Sequence, residues 1–458
     1  MQVHFSLLRW WEPIGLLEQV PSSIGTANAC HRLGLELFAS SLGDRSGNLR
    51  QAMEYYQAAL HVRTEQAFPL ERATTQRNLG NAWSELPTGD LTENLSRAMS
   101  CYQAALRVRT EESFPIEWAT IQNALGAAWY KLVTGDRVEN FRRAMTCYRA
   151  ALRVRSEDVC PYDWAITQSN LGIVWSELTT GDRASNLHEA IECYQTALRV
   201  LTEQDFPTVW ARIQNNLGNA WRNLPTGDPT RNLQQAMECY RAVMRVYNEH
   251  NFPQLWGMLQ NNLGQALSML PDGDLAENLH HAMECCRAAL RVNTERDFPS
   301  RWANAQNNLG NAWRNLPNGN QAENLHQAME CYRAALRVYT EEDFPQSWAM
   351  LQDNLGEAWS KLPTGDPAEN LRHAMECYRA ALRVYTERDF PYDWAATQHN
   401  LGNVWSGLPT EDQTATLGEA IECYRSALRV YTEQSFPTEH ETVEAKLQQR
   451  IETLRLRT

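Results

Sequence analysis

The sequence lacks the features of several large protein classes. No segment approaches the roughly 18 apolar residues in a row that a membrane-spanning helix needs. Lysine is nearly absent, and the 55 acidic residues outnumber the 42 basic ones to give a net charge of −13. So acidic a chain repels phosphate backbones. The composition therefore predicts that neither a membrane nor a nucleic acid is a partner.

Motifs for catalysis and metal binding are also missing. The sequence contains no Cys-x-x-Cys pair, no Walker-type glycine-rich loop, no G-x-S-x-G elbow and no H-E-x-x-H helix. A nucleophile would need a partnered base, and no Ser–His or Cys–His arrangement stands out. The scattered histidines are interpreted as solvated helix faces. We expect a non-enzymatic protein without a metal or a cofactor.

What the sequence does contain is one motif in nine copies. Glycines recur every 46 residues from Gly34 to Gly402, and prolines keep the same step from Pro69 to Pro437. Fourteen of the 16 tryptophans fall on two registers of this repeat. Such a period is typical of solenoids, in which each repeat packs on its neighbours. Nine copies without an insertion leave no room for a second globular domain.

Each repeat is predicted to contain two helices. Pro115 suits the first turn of a helix, and the apolar residues after it follow helical spacing. Gly89 permits a left-handed turn, and Asp90 caps a second helix at about 91–112. Glu93 completes a capping-box spacing with Asp90.

Two polar patterns on the second helix are interpreted as structural. Arg107 and Glu111 stand at i and i+4, which predicts an exposed ion pair on the helix surface. An asparagine row opens the second helix and is expected to hold the long turn before it. Its members are Asn94, Asn140, Asn186, Asn232, Asn278, Asn324 and Asn370.

The repeat resembles the tetratricopeptide repeat. That family's pattern is W-x2-L-G-x2-Y, then A-x3-F, then P. This chain reads Leu79-Gly80-x2-Trp83, then Ala98-x3-Tyr102, so an aromatic replaces an aromatic at both ring positions. Gln76 stands where the family has its first tryptophan, and each unit is 12 residues longer than the family's 34. The long variant is similar to repeat arrays in bacterial proteins, including cyanobacterial ones.

The resemblance implies an all-α, right-handed superhelical solenoid that acts as a protein-interaction scaffold. We expect residues 21–436 to form nine repeats and residues 437–458 to form a capping helix. Residues 1–20 either cap the first repeat or contact a partner or a second copy. The caspase-like domain that often follows such arrays is not expected, because the sequence ends just after its last helix.

Asparagines on the first helix are the predicted binding residues. In the tetratricopeptide family these positions line the concave groove, and similar rows grip the backbone of a bound peptide. An amide offers both a donor and an acceptor to a peptide unit. We expect Arg222 and Arg314 to contribute, although Glu177 occupies a comparable register. The asparagines are Asn78, Asn170, Asn215, Asn216, Asn219, Asn261, Asn262, Asn307, Asn308, Asn311, Asn354 and Asn400.

Two alternatives stay open at this stage. The amides can instead bind neighbouring backbone and only stiffen the solenoid. The whole chain can be a structural protein whose solenoids associate end to end or side by side, although a monomer is expected.

Eight of the 11 cysteines hold one register of the second helix, from Cys101 to Cys423. Stacked helices lie about 8–10 Å apart, beyond the Cα separation of about 4.4–6.8 Å in a disulfide. We therefore expect free thiols and a cytoplasmic location.

Overall fold

The computed structural model describes residues 23–410 and 412–456, and these form helices and turns without a strand. Helices hold 74% of the described residues. The prediction of an all-α fold built from paired helices is thereby confirmed. Residues 1–20, predicted to form a cap or a contact segment, lie outside the described residues.

The chain divides into two compact units between Pro225 and Thr226. Odd-numbered helices open the repeats and are called first helices, and even-numbered ones are called second helices. The first unit contains α1 (Ile24–Ala39), α2 (Arg45–Val62), α3 (Pro69–Glu85), α4 (Leu91–Leu106), α5 (Pro115–Lys131), α6 (Arg137–Val154), α7 (Pro161–Glu177), α8 (Arg183–Leu198) and α9 (Pro207–Arg222). The second unit contains α10 (Pro229–Val246), α11 (Pro253–Met269), α12 (Leu275–Val292), α13 (Pro299–Asn315), α14 (Gln321–Leu336), α15 (Pro345–Ser360), α16 (Pro367–Ala381), α17 (Pro391–Gly407), α18 (Gln413–Leu428) and α19 (Pro437–Arg455).

The turns between first and second helices follow the sequence prediction closely. Gly89 has φ +85°, a left-handed conformation that glycine adopts without steric cost. Asp90 caps α4 by accepting the Glu93 N–H at 2.8 Å, while the Glu93 carboxylate contacts Arg97. The predicted capping box is therefore only half formed.

The asparagine row at the start of the second helices holds these turns, as predicted. Asn94 Nδ2 donates to the carbonyl oxygen of Thr88 at 3.0 Å, and Asn140 donates to both Leu132 and Thr134. Because the receiving carbonyls belong to the turn, each side chain replaces hydrogen bonds that the irregular backbone cannot make with itself. The row is a structural feature of the repeat.

The ion pair predicted between Arg107 and Glu111 is wrong. Glu111 instead accepts from Arg153, 42 residues further on, at 2.7 Å. The Arg153 guanidinium also lies over the Trp118 ring, 5.5 Å from its centroid. Glu111 therefore links its own repeat to the next, through an arginine that stacks on tryptophan. The same arrangement joins Glu157 to Arg199 in the first unit, and Glu249 to Arg291, Glu295 to Arg337, Glu341 to Arg383 and Glu387 to Arg429 in the second.

Candidate peptide-binding face

The predicted binding residues all lie on first helices, and none is fully exposed. Asn78 and Asn307 are buried, and the other asparagines of the set are partly buried. We call this set, with Arg222 and Arg314, the asparagine face. Side chains at such positions keep some contact with solvent while neighbouring helices restrict their rotamers.

Several members of the asparagine face bind another asparagine on the neighbouring first helix. Asn170 Nδ2 donates to Asn123 Oδ1 at 3.2 Å in the first unit. In the second unit Asn308 donates to Asn261, and Asn354 donates to Asn307, each at 3.0 Å. Each bond joins residues 47 positions apart, so it links the first helix of one repeat to that of the next. The partners of these amides are thus side chains and not the neighbouring backbone.

Histidines extend the same pattern near both ends of the described chain. Asn78 Nδ2 lies 3.4 Å from His31 Nε2, and Lys446 Nζ lies 2.8 Å from His399 Nε2. Burial lowers the pKa of both histidines to about 4. The positive charges of Arg63 and Arg77 add to this effect at His31, and the charge of Lys446 adds to it at His399. A neutral ring keeps a lone pair, so each can accept the hydrogen offered to it. Sequence analysis missed these two residues and Asn123, although the spacing of 47 residues identifies all three.

The asparagines that follow the repeat glycine have a different partner. Tyr332 Oη donates to Asn311 Oδ1 at 2.8 Å, and Tyr102 donates to Asn81 at 2.9 Å. Each tyrosine ring is buried on a second helix, and its hydroxyl needs an acceptor there. Asn311 is therefore already used by the core on its oxygen side.

Arg222 and Arg314 share a register but differ in their surroundings. Arg314 Nη1 lies 2.8 Å from the Glu357 carboxylate and 2.9 Å from Asn354 Oδ1. Arg222 Nη1 is buried and has no hydrogen-bond partner among the described residues, while its Nε donates weakly to Asn223 at 3.4 Å. A buried guanidinium nitrogen without an acceptor is costly. Of the two arginines, Arg222 is therefore the one with a buried nitrogen that lacks an acceptor among the described residues.

A cavity of about 260 Å³ lies beside Arg222 within the first unit. The Asn–Asn pattern is interrupted there, because Ser169 stands 47 residues before Asn216 and its buried Oγ has no hydrogen-bond partner among the described residues. Glu177 accepts from Tyr130 Oη at 2.6 Å and lies 3.7 Å from Arg137. The cavity is lined by Ile173, Ser176, Glu177, Leu187, Tyr194, Asn216, Asn219, Ala220, Arg222 and Asn223. It thus brings together Asn216, Asn219 and Arg222 of the predicted set.

Other kinds of site find no support in the described residues. Across residues 23–410 and 412–456, no three metal-ligating side chains of histidine, cysteine, aspartate or glutamate form a group that could hold an ion. None of the helices in the same ranges combines the length and the apolar character that crossing a bilayer requires.

All 11 cysteines are free thiols, as predicted. Burial raises the pKa of Cys193, Cys331 and Cys423 to about 12. The thiolate is the reactive form, so at pH 8 these residues should be alkylated roughly 10³-fold more slowly than an ordinary thiol. Mass spectrometry after a short iodoacetamide pulse should find them unmodified in the native protein and fully modified in denaturant. Rapid native labelling of this register would show that the second helices open readily.

Comparison with protein-family models and with curated proteins finds no match. Comparison with solved structures finds several matches. A signal-transduction ATPase with a tetratricopeptide-repeat sensor from Pyrococcus horikoshii is 12% identical, with 100% of this chain and 67% of that chain covered and a TM-score of 0.51. A Rap protein complexed with Competence and Sporulation Factor is 12% identical, with 85% of this chain and 100% of that chain covered and a TM-score of 0.49. A protective antigen of uropathogenic Escherichia coli with an SLR fold is 17% identical, with 94% and 83% covered and a TM-score of 0.44. The likeness to the Pyrococcus structure and the pairs of helices repeated every 46 residues together identify the chain as a tetratricopeptide-like repeat protein in fold.

Proposed function

We propose that this protein is a non-enzymatic protein-interaction scaffold that binds an extended peptide or protein segment along its asparagine face. The observation that carries the proposal is the cavity of the first unit. There Asn216, Asn219 and Arg222 come together, and the buried Nη1 of Arg222 lacks an acceptor among the described residues. A partner that supplies an oxygen acceptor would satisfy it.

Asn308 of the asparagine face suits an extended backbone because its amide has hydrogen-bonding groups to spare. The bond from Asn308 to Asn261 uses one of the two hydrogens of the Asn308 amide and leaves its oxygen for another donor. The same bond fixes the orientation of both side chains. A peptide would therefore meet amides that are already positioned, which lowers the entropic cost of binding.

The cavity suits one side chain that ends in a carboxylate or an amide oxygen. Leu187, Ile173 and Ala220 give it apolar walls, and Arg222 places a guanidinium beside them. Glu177 is already engaged by Tyr130 and Arg137, so it does not neutralise Arg222. The pairing of Arg314 with Glu357 in the second unit illustrates the geometry that an acidic side chain of the partner would adopt.

Peptides selected from a random display library against the full chain test this proposal. The double variant Asn216→Ala/Arg222→Gln should bind the selected peptides at least about tenfold more weakly, because a hydrogen bond to a charged group contributes about 1.5–3 kcal/mol. Arg212→Gln is the matched control, since Arg212 is exposed on the same helix and does not line the cavity. Affinities are measured by calorimetry at one salt concentration. Melting of both variants by circular dichroism checks that they remain folded.

Two results would contradict the proposal. The first is equal affinity of the selected peptides for the double variant and for Arg212→Gln. The second is a failure to select any peptide, together with light-scattering masses far above the 52.4 kDa of one chain. That second outcome favours a structural protein that assembles from its own copies.

The proposed organisation of the chain is nine repeats over residues 21–436 and a cap over residues 437–458. The packing of α19 supports the cap, because Val443 and Leu447 are buried while the charged side chains of Glu441, Glu444 and Glu452 are exposed. Free thiols support a reducing compartment such as the cytoplasm.

A further inference from the structure

Asp353 is the one acidic residue in its register of the first helix. The preceding repeats of the second unit have Asn261 and Asn307 at this position. Burial, with a smaller effect of the Glu357 carboxylate, raises the pKa of Asp353 to about 6, although the Thr397 hydrogen bond and Arg314 act in the opposite direction. An acid has therefore replaced an amide at a site that disfavours its charged form.

The contacts of Thr397 show which form of Asp353 fits. Thr397 Oγ1 lies 2.8 Å from Asp353 Oδ1 and 2.8 Å from the carbonyl oxygen of Asp393. A carbonyl oxygen and an ionised carboxylate only accept hydrogen bonds, and a hydroxyl has a single hydrogen to donate. With Asp353 ionised, one of the two contacts has no hydrogen. With Asp353 protonated, both contacts are hydrogen bonds.

Two threonines in the same register as Thr397 show the complete pattern. Thr75 Oγ1 donates to the Glu71 carbonyl at 2.7 Å and accepts from Arg63 Nη1 at 2.5 Å. Thr167 likewise donates to its own helix at 2.7 Å and accepts from Arg155 Nη1 at 2.8 Å. In each case the hydroxyl hydrogen goes to the carbonyl four residues earlier, and a donor fills the lone pair.

Thr397, the third threonine of this register, lacks the arginine that supplies this donor to Thr75 and Thr167. Tyr385 occupies the register of Arg63 and Arg155, twelve residues before Thr397. The oxygen of Asp353 has come within hydrogen-bond distance of Thr397. To complete the pattern, that oxygen must carry a hydrogen.

We propose that Asp353 and Thr397 form a proton-dependent latch between α15 and α17. The latch is closed when the carboxyl group is protonated and donates to the Thr397 hydroxyl, whose own hydrogen goes to the Asp393 carbonyl. It opens when the carboxyl group ionises, because the hydroxyl must then give its hydrogen to only one of two acceptors. The next residue, Asn354, bonds to Asn307 and Arg314, so the latch adjoins the asparagine face.

The charged and titratable groups around Asp353 favour the neutral acid on balance. Glu357 on its own helix and Asp393 on α17 repel a second negative charge, and Arg314 on α13 attracts it. Raised pKa values keep the neighbouring groups of the second helices and of the turns after them neutral. These groups are Cys377, Tyr378, Tyr385 and Tyr431.

The pH dependence follows from the proton count. The unfolded chain releases the proton of this residue near pH 3.8, whereas the folded protein keeps it until about pH 6. Between these values the folded state binds more protons, so stability falls as the pH rises through this window and then levels off. The contribution is fully present below the unfolded pKa and is lost above the folded one.

The test compares melting temperatures of the full-length protein and Asp353→Asn at pH 5 and pH 8. The preceding repeats have Asn261 and Asn307 at this position, so the variant should fold. The difference in melting temperature between the variant and the parent should be several degrees larger in favour of the variant at pH 8 than at pH 5. Glu342→Gln, on the exposed turn before α15, controls for the loss of one negative charge. An advantage of equal size at both pH values would overturn the latch.

Infrared difference spectra between the parent and Asp353→Asn give an independent readout. A carboxylic-acid carbonyl band in the parent at pH 5, absent at pH 8, is the expected result. Absence of this band at pH 5 would show that Asp353 stays ionised and would refute the proposal.

Discussion

Replacing Trp394 with alanine should destabilise the second unit by about 3–5 kcal/mol, the usual cost of removing a large aromatic side chain from a core. Trp394 is 8% exposed and packs with Ala349, Tyr385 and Val443. Ala349 and Tyr385 belong to the preceding repeat and the turn that ends it, and Val443 lies on α19. Truncation therefore removes packing with the elements on both sides of the Trp394 repeat.

Urea unfolding followed by circular dichroism measures this loss. In a solenoid each repeat depends on its neighbours, so we expect the transition to broaden as the C-terminal repeats unfold first. Arg429→Gln separates out the stacking of the Arg429 guanidinium, which lies 5.1 Å from the Trp394 ring centroid, and should cost only about 1 kcal/mol. A loss below about 1 kcal/mol for Trp394→Ala would show that this register is a surface and not a core position.

The sequence predicted the repeat well because its signals are local. Proline at the start of a first helix, glycine in the turn and an aspartate cap each act within a few residues. Gly89 and Asp90 behave as their residue types require, and so does Asn94, whose acceptor lies six residues away. The proline recurs nine times, and the turn glycine and the aspartate cap recur eight times each, which excludes a chance match.

The partners of the site residues were harder to predict because they lie in the next repeat. The rule for i and i+4 pairs placed Glu111 with Arg107, yet Arg153 stacks on Trp118 and reaches Glu111 from 42 residues away. Likewise the offset of 47 residues between Asn308 and Asn261 depends on how successive helices are rotated against each other. That rotation is set by packing and cannot be read from a helix pattern in one repeat.

The cavity beside Arg222 follows from differences between repeats. Ser169 interrupts the amide pattern, and Arg222 lacks the glutamate that pairs with Arg314. A regular repeat would give every copy the same contacts. The positions at which the repeats differ are therefore the best candidates for binding a partner or for titrating. Asp353, which replaces an asparagine of the preceding repeats, is a second such position.

Substituting alanine for Gly310 should destabilise the protein by about 1–3 kcal/mol, although alanine is the better helix former by about 1 kcal/mol. A β-carbon added at Gly310 would lie 2.6 and 2.9 Å from two ring carbons of Tyr332. This ring is fully buried, and its hydroxyl is bound to Asn311, so it has little freedom to move aside. Thermal and urea melting of the variant measure the effect.

Two matched glycines make the comparison specific. At Gly264, in the same register, Cys286 replaces the tyrosine, and an added β-carbon would meet the Ala282 carbonyl oxygen at 3.0 Å and the Cys286 sulfur at 3.1 Å. Gly264→Ala should therefore cost less than Gly310→Ala. At Gly418, within α18, nothing lies within 4 Å, and alanine should stabilise by up to about 1 kcal/mol. Equal effects on stability at the three positions would mean that helix propensity determines the result of the substitution. The steric contact between the added β-carbon and the Tyr332 ring would then be unimportant.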